Sequence, residues 1–185
     1  MKLENKNKIY YGNPIIKFKE ELISKLKSVG VELVDVSKLK PHEQVSDEDM
    51  NSLRNSLLKE DKCILKFPIV CEKEYNIIID GHNRYHIFKE LGLKKIPVYY
   101  VDYFDDRIVV DSWREGEKVT KRDVIEAAKS GKVFPPKTTK HLYIKKEIDT
   151  TTGEEKNQYV RILEILPQIN VPIDALKNDG FKEKL

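Results

Sequence analysis

Three observations in the sequence predict a mixed α+β fold. Apolar residues recur at helical spacing in several segments, and short β-branched runs lie between them. The run Ile77-Ile78-Ile79-Asp80-Gly81-His82-Asn83-Arg84 joins a strand to a helix through one glycine. Taken in order, Ile15, Phe18, Leu22, Leu26 and Val29 predict an opening amphipathic helix that stops at Gly30. Residues 31–36 read as a strand and 37–45 as a loop holding Lys40-Pro41-His42-Glu43. Ser46 then caps a helix with Asp47, Glu48 and Asp49 in its first turn and Met50, Leu53 and Leu57 on its core side. Residues 67–72 and 75–79 read as paired strands, 82–91 as a helix stopped by Gly92, and 96–103 and 107–112 as further strands. Thr120 with Asp123 resembles a capping box opening a helix through residue 128, ahead of Gly131. After the loop 134–141, residues 142–148 and 159–166 predict an edge hairpin turned by Asp149-Thr150-Thr151-Thr152-Gly153, and 177–185 a frayed polar end.

The 185 residues suffice for one well-cored domain, and neither repeat nor low-complexity linker divides them. The expectation is a single domain over 1–185, with 142–185 as a C-terminal appendage of unassigned role. Thirty-four basic and 31 acidic residues, net +3, are scattered rather than blocked, so no strongly basic face for nucleic acid is expected. Cys63 and Cys71 lack CxxC spacing and lie in apolar sequence, as reduced buried thiols do. No apolar stretch reaches membrane-span length and the first residues lack a signal-peptide core, so a soluble, intracellular protein is expected.

The 77–84 junction is where chemistry is expected. The first N–H groups of a helix have no intrahelical acceptor and carry partial positive charge, so they favour an anion beyond the strand end. Arg84 adds a planar donor fork, and Asp80 suits a hydroxyl or metal-bound water better than a bare phosphate. Thr138, Thr139 and His141 lie in Phe134-Pro135-Pro136-Lys137-Thr138-Thr139-Lys140-His141, which reads either as an anion clamp or as a solvated basic loop. Glu43 reads either as a general base on a loop or as a surface acid. His82 and His86 are four apart but have no third ligand at suitable spacing, which argues against a transition-metal pair. Trp113 with Arg114 could wall a small-molecule pocket and hold a carboxylate. The P-loop, dinucleotide and protein-kinase signatures are absent.

Leu39-Lys40-Pro41-His42-Glu43 and Asp80-Gly81-His82-Asn83-Arg84 together resemble the ParB/sulfiredoxin-like nucleotide-binding superfamily. With Trp113-Arg114 and the loop 134–141, the ordered set is similar to the archaeal free L-serine kinases over about residues 31–141. The resemblance implies a compact fold with a mixed sheet flanked by helices, and a cytoplasmic phosphotransferase. Its reaction would carry a phosphoryl group from ATP or ADP to the hydroxyl of L-serine, giving O-phosphoserine for cysteine biosynthesis with Mg²⁺. It implies Glu43 as base, Asp80 as a catalytic and Mg²⁺-holding carboxylate, and Gly81, His82, Asn83, Arg84, Thr138, Thr139 and His141 around the nucleotide phosphates. Trp113 and Arg114 would stand near the substrate. Asn83 replaces a second His common in the family pattern. A sulfiredoxin would need a cysteine where His82 stands. The runner-up is a non-catalytic ParB-like nucleotide-binding switch with a nucleic-acid or protein partner; the kinase reading expects neither membrane nor nucleic acid, and a monomer or small homo-oligomer.

Overall fold

The computed structural model describes residues 14–58 and 64–177, without the side chains of 14–18, 57 and 58. It has the expected α+β architecture. Helix α1 (Pro14–Ser28) leads into β1 (Val31–Asp35), a 3-10 turn at Val36–Lys38, and α2 (Asp47–Leu58). Strands β2 (Ile64–Leu65), β3 (Ile69–Glu72) and β4 (Ile78–Asp80) follow, then α3 (His82–Glu90), β5 (Lys95–Val101), β6 (Ile108–Asp111) and α4 (Lys121–Ser130). The chain continues through β7 (Lys140–Ile148), β8 (Glu155–Arg161), a 3-10 turn at Ile162–Ile165, β9 (Val171–Pro172) and α5 (Asp174–Lys177).

The central sheet has the order β1-β5-β3-β4 and is mixed: β5 and β3 run parallel, while β1/β5 and β3/β4 are antiparallel. Both of its faces are covered, which explains the unbroken Ile77-Ile78-Ile79 run. Successive side chains on a strand point to opposite faces. Ile78 enters a core with Leu22, Leu26, Met50, Phe88 and Ile96, whereas Ile77 and Ile79 enter a second core with Val70, Tyr103, Val124 and Ile162. The second core is roofed by the antiparallel sheet β6-β7-β8 and α4, and β2 pairs with β9 as a separate ribbon.

The local signals for helix ends hold. Thr120 and Asp123 form a reciprocal capping box at α4, and Ser46 Oγ accepts from the Asp49 N–H at 3.1 Å. Gly92 takes φ +70° just beyond α3, a left-handed position that favours glycine after a helix. Several expected boundaries move. Pro68 cannot donate to a ladder, so β3 starts at Ile69 rather than 67. The Glu72 carboxylate accepts from the Glu74 and Tyr75 N–H groups and Asn76 adopts φ +58°, which makes a turn of residues 73–76 and delays β4 to Ile78. The strand expected over 159–166 ends at Arg161, because Glu164 caps the Arg161 N–H and turns Ile162 into the second core. The hairpin expected at an edge is joined to β6 through β7, with β8 outermost. Cys71 is a buried free thiol; Cys63, and residues 178–185 of the expected frayed end, lie outside the described residues.

Candidate active site

A cavity of about 850 Å³ opens where β4 meets α3, facing the start of α2, the loop 134–141 and the end of β8. Two crossings of the chain build its floor. The 40–44 loop is stitched on one side to β4, with Ile78 N–H donating to Lys40 O at 2.9 Å. On the other side Phe134 N–H donates to His42 O at 2.8 Å and Gln44 N–H to Phe134 O at 2.9 Å. The segment carrying Pro41-His42-Glu43 therefore lies between two others as a short strand-like bridge, and its side chains are fixed from both flanks.

Glu43 receives the Lys137 N–H on Oε1 at 2.7 Å and the Thr139 N–H on Oε2 at 2.7 Å, and Thr139 Oγ1 lies 2.6 Å from Oε2. Lys137 sits at φ +59°, an uncommon conformation for a residue with a Cβ, and its turn aims both amides at one carboxylate. Burial pushes the Glu43 carboxyl above its ordinary value, partly opposed by the Thr139 hydroxyl and the surrounding backbone donors.

Beneath Glu43, His42 is fully buried. Its Nδ1 donates to Ile78 O at 2.7 Å and its Nε2 faces Thr139 Oγ1 at 2.9 Å. The His82 ring stands edge-on to His42 at 4.5 Å between centroids and the His141 ring at 5.6 Å. His82 Nε2 accepts weakly from the His42 N–H at 3.4 Å, and His141 Nε2 shares a hydrogen bond with Tyr103 Oη at 2.8 Å. Those one-way partners, a carbonyl for His42 and an amide N–H for His82, assign Nδ1–H to these two imidazoles. Burial holds the three neutral, driving His42 down to about 4 and His82 and His141 well below the usual range, with mutual repulsion as a second cause for His82 and His141. His82 thus opens α3 as a neutral ring, and an anion there would meet helix N–H groups rather than imidazolium charge. His86, half-buried, packs against Tyr85. Among the described residues no three His, Cys, Asp or Glu side chains converge as metal ligands.

The Asp80–Arg84 junction differs from the sequence expectation. Arg84 lines the cavity, but its fork turns back on the scaffold. Nη1 donates to Phe67 O at 2.9 Å and Pro68 O at 2.8 Å, and Nη2 to Asp80 Oδ2 at 2.7 Å. Gly81, at φ +105°, makes this return possible, since a Cβ there would stand 2.9 Å from Arg84 Nη2. Other expected residues are also committed to the protein. The Thr138 hydroxyl donates to Pro135 O at 2.8 Å. Arg114 is exposed, bonds Pro136 O at 2.9 Å and lies outside the cavity lining, so it is not positioned as a carboxylate clamp. Trp113 does line the cavity, 54% exposed, with Lys140 Nζ 4.5 Å above its ring. Asn83 lines it too, on the first turn of α3.

Sequence reasoning missed His42 as a buried group, the apolar wall formed by Leu53, Leu65 and Phe67, and Arg161 at the end of β8. Of the lining cations, Arg84 is paired with Asp80, Lys137 lies 3.4 Å from Asp49 Oδ2, and Lys140 covers Trp113. Among the described residues, only Lys66 and Arg161 line the cavity with neither an ion pair nor an aromatic ring beneath the charge. Nothing local marks Arg161 in the sequence, because it reaches the site only through the hairpin's pairing with β7.

A model of the ParB N-terminal domain family matches residues 17–112. An ATP-dependent L-serine kinase of Staphylothermus marinus is 36% identical over 105 residues, covering 55% of this chain and 41% of its own. An ADP-dependent L-serine kinase of Thermococcus kodakarensis is 30% identical over 106 residues, covering 56% of this chain and 43% of its own. The chain thus spans less than half the length of these curated relatives. The solved structure of a free serine kinase in complex with AMP superposes with a TM-score of 0.61 at 18% identity, over 80% of this chain and 94% of that one, and shows the same fold.

Proposed function

Because this chain belongs to the ParB N-terminal domain family, we propose that its cavity is the active site of a free L-serine kinase that uses ATP or ADP. The observation that carries this reading is the placement of Glu43, a carboxylate of raised proton affinity held by two backbone amides, in the same cavity as the free N-terminus of α3. That pairing is what transfer to an alcohol needs: donors for the phosphates at one side and a proton acceptor at the other.

The N–H groups at the start of α3, around Gly81, His82 and Asn83, meet the terminal phosphates, with Arg161 and Lys66 as the unpaired cations. Arg84 acts on the scaffold, fixing Asp80 and the turn before α3. The serine hydroxyl attacks phosphorus, the bond to the leaving nucleotide oxygen breaks, and the hydroxyl proton passes to Glu43. Trp113 and Lys140 border the space for the amino acid. Asp80, with Oδ2 held by Arg84, has Oδ1 left for a cation, so the donor set fits Mg²⁺ bound mainly by phosphate oxygens and water. When bound, that ion would neutralise phosphate charge. The cavity takes Arg161 and Leu163 from beyond residue 141, which supports one functional unit, with 142–177 part of the site rather than an appendage. The product, O-phospho-L-serine, suits a cytoplasmic route to cysteine.

The test is phosphorus NMR of the protein with Mg²⁺, L-serine and either ATP or ADP. A serine-dependent phosphomonoester resonance is expected, and the productive nucleotide identifies the donor. Nucleotide binding without that resonance would move the assignment to a non-catalytic ParB-like switch.

A further inference from the structure

His42 has no part in the reaction as written, yet it is one of the most deeply buried polar side chains among the described residues. Its contacts, counted proton by proton, leave a deficit. Ile78 O can only accept, so His42 Nδ1 carries a hydrogen and Nε2 has only a lone pair. Thr139 Oγ1 lies 2.9 Å from that lone pair and 2.6 Å from Glu43 Oε2. Its single hydrogen cannot serve both. With Glu43 ionised the hydrogen goes to the carboxylate, and Nε2 faces the hydroxyl oxygen without a donor. With Glu43 protonated on Oε2 both gaps fill: the carboxyl donates to Thr139 Oγ1 and Thr139 donates to Nε2.

We propose that Thr139 and His42 form a two-position hydroxyl switch behind Glu43, in which His42 is the acceptor that lets Thr139 reverse its hydrogen bond once Glu43 has taken a proton. This deepens the kinase reading and rests on it for the source of that proton. Only one proton is transferred. It leaves the acceptor hydroxyl as the new oxygen–phosphorus bond forms, and an O–H bond forms on Glu43. Thr139 then turns its own hydrogen from Oε2 to Nε2, with no bond broken. Both charge states of Glu43 are thereby hydrogen-bonded in a site where an unsatisfied carboxyl would be costly. Thr139 and His42 are positioning residues. The neutral His42 of the switch agrees with the burial that disfavours imidazolium there.

The titratable and charged groups around the switch are few. His82 of α3 and His141 of β7 flank His42 and are held neutral, Lys137 lies above Glu43 and is paired with Asp49 of α2, and Asp80 of β4 is paired with Arg84. The switch makes a signed prediction. Removing the acceptor, in His42→Phe, leaves Thr139 able to serve only ionised Glu43, so the Glu43 midpoint falls by about half a pH unit or more. Removing the hydroxyl, in Thr139→Val, deletes a bond to each form of Glu43, and because the charge-assisted bond to the carboxylate is the stronger of the two the midpoint rises, and Thr139→Ser restores it.

The experiment is carbon NMR of the Glu43 carboxyl across pH in these variants, with nitrogen NMR of the His42 ring in the unaltered protein. The second measurement serves even where His42→Phe fails to fold. In it the Nε2 resonance stays unprotonated and moves at the Glu43 midpoint as the Thr139 bond arrives. Midpoints that move together, or an Nε2 resonance flat through the Glu43 titration, would overturn the switch. Neither measurement needs serine. Opposed midpoints in a protein that yields no phosphomonoester would sink the kinase reading and keep the switch, whereas a working kinase with a flat Nε2 resonance would do the reverse.

Discussion

Two regions line the same cavity and are built in opposite ways. The Asp80–Arg84 junction is contiguous: its ion pair is four residues long, its glycine lies inside it, and its arginine turns back to satisfy carbonyls of the preceding strand connection. The Glu43–Thr139 crossing joins residues 96 apart, and its carboxylate is presented to the cavity by amides from a loop that the sequence places far away. In the contiguous motif the arginine is spent on the scaffold, while the crossing holds the carboxylate proposed as the proton acceptor. A charged side chain in a site motif is therefore judged by what its donors already hold, since a guanidinium with three acceptors has little left for a ligand.

The largest expected effect tests the crossing. Glu43→Gln keeps shape but removes the proton acceptor, so serine-dependent turnover should fall by about 10² or more while nucleotide affinity stays near that of the unaltered protein. Equal turnover in a coupled assay would break the comparison at its centre. Arg84→Ala tests the other region as scaffold. It strips Asp80 of its partner and leaves the Phe67 and Pro68 carbonyls short of a donor, so denaturant unfolding should show a loss of about 3 kcal/mol. A variant of full stability with lost nucleotide binding would restore Arg84 to the phosphates.

Next in size is a pH effect on the crossing. Burial lowers His42 from 6.5 to about 4, so the folded protein refuses a proton that the unfolded chain accepts. The stability tied to its neutral form is complete above pH 6.5 and is lost as pH falls from there towards 4, up to about 3 kcal/mol for this group. Thermal melts across that window should show a steeper fall for the unaltered protein than for His42→Phe, and parallel slopes would count against a neutral buried imidazole. The smallest effect concerns Arg161→Ala. With no ion pair to lose among the described residues, it should leave stability within about 0.5 kcal/mol. Nucleotide affinity should weaken about tenfold by calorimetric titration, the effect of one charge-assisted contact. Unchanged affinity would leave Lys66 and the α3 N-terminus as the anion donors.

The sequence by itself determined the features whose causes are local. Helix starts at Ser46 and Thr120, the stop at Gly92, the strand–glycine–helix junction at Asp80-Gly81-His82 and the α+β class all follow from side chains acting within a few residues of themselves, and they are read from spacing and capping chemistry. The order of the four motifs likewise carried the family. Only the tertiary structure decided which motif residues face the cavity with donors to spare. It turned Arg84 inward and set Arg114 outside the lining. It brought Arg161 in on β8, and it placed Thr139 between Glu43 and His42. The reason is physical: hydrogen-bond partners and desolvation are properties of the packed assembly, and residues separated by 96 or 97 positions acquire them only when the chain closes.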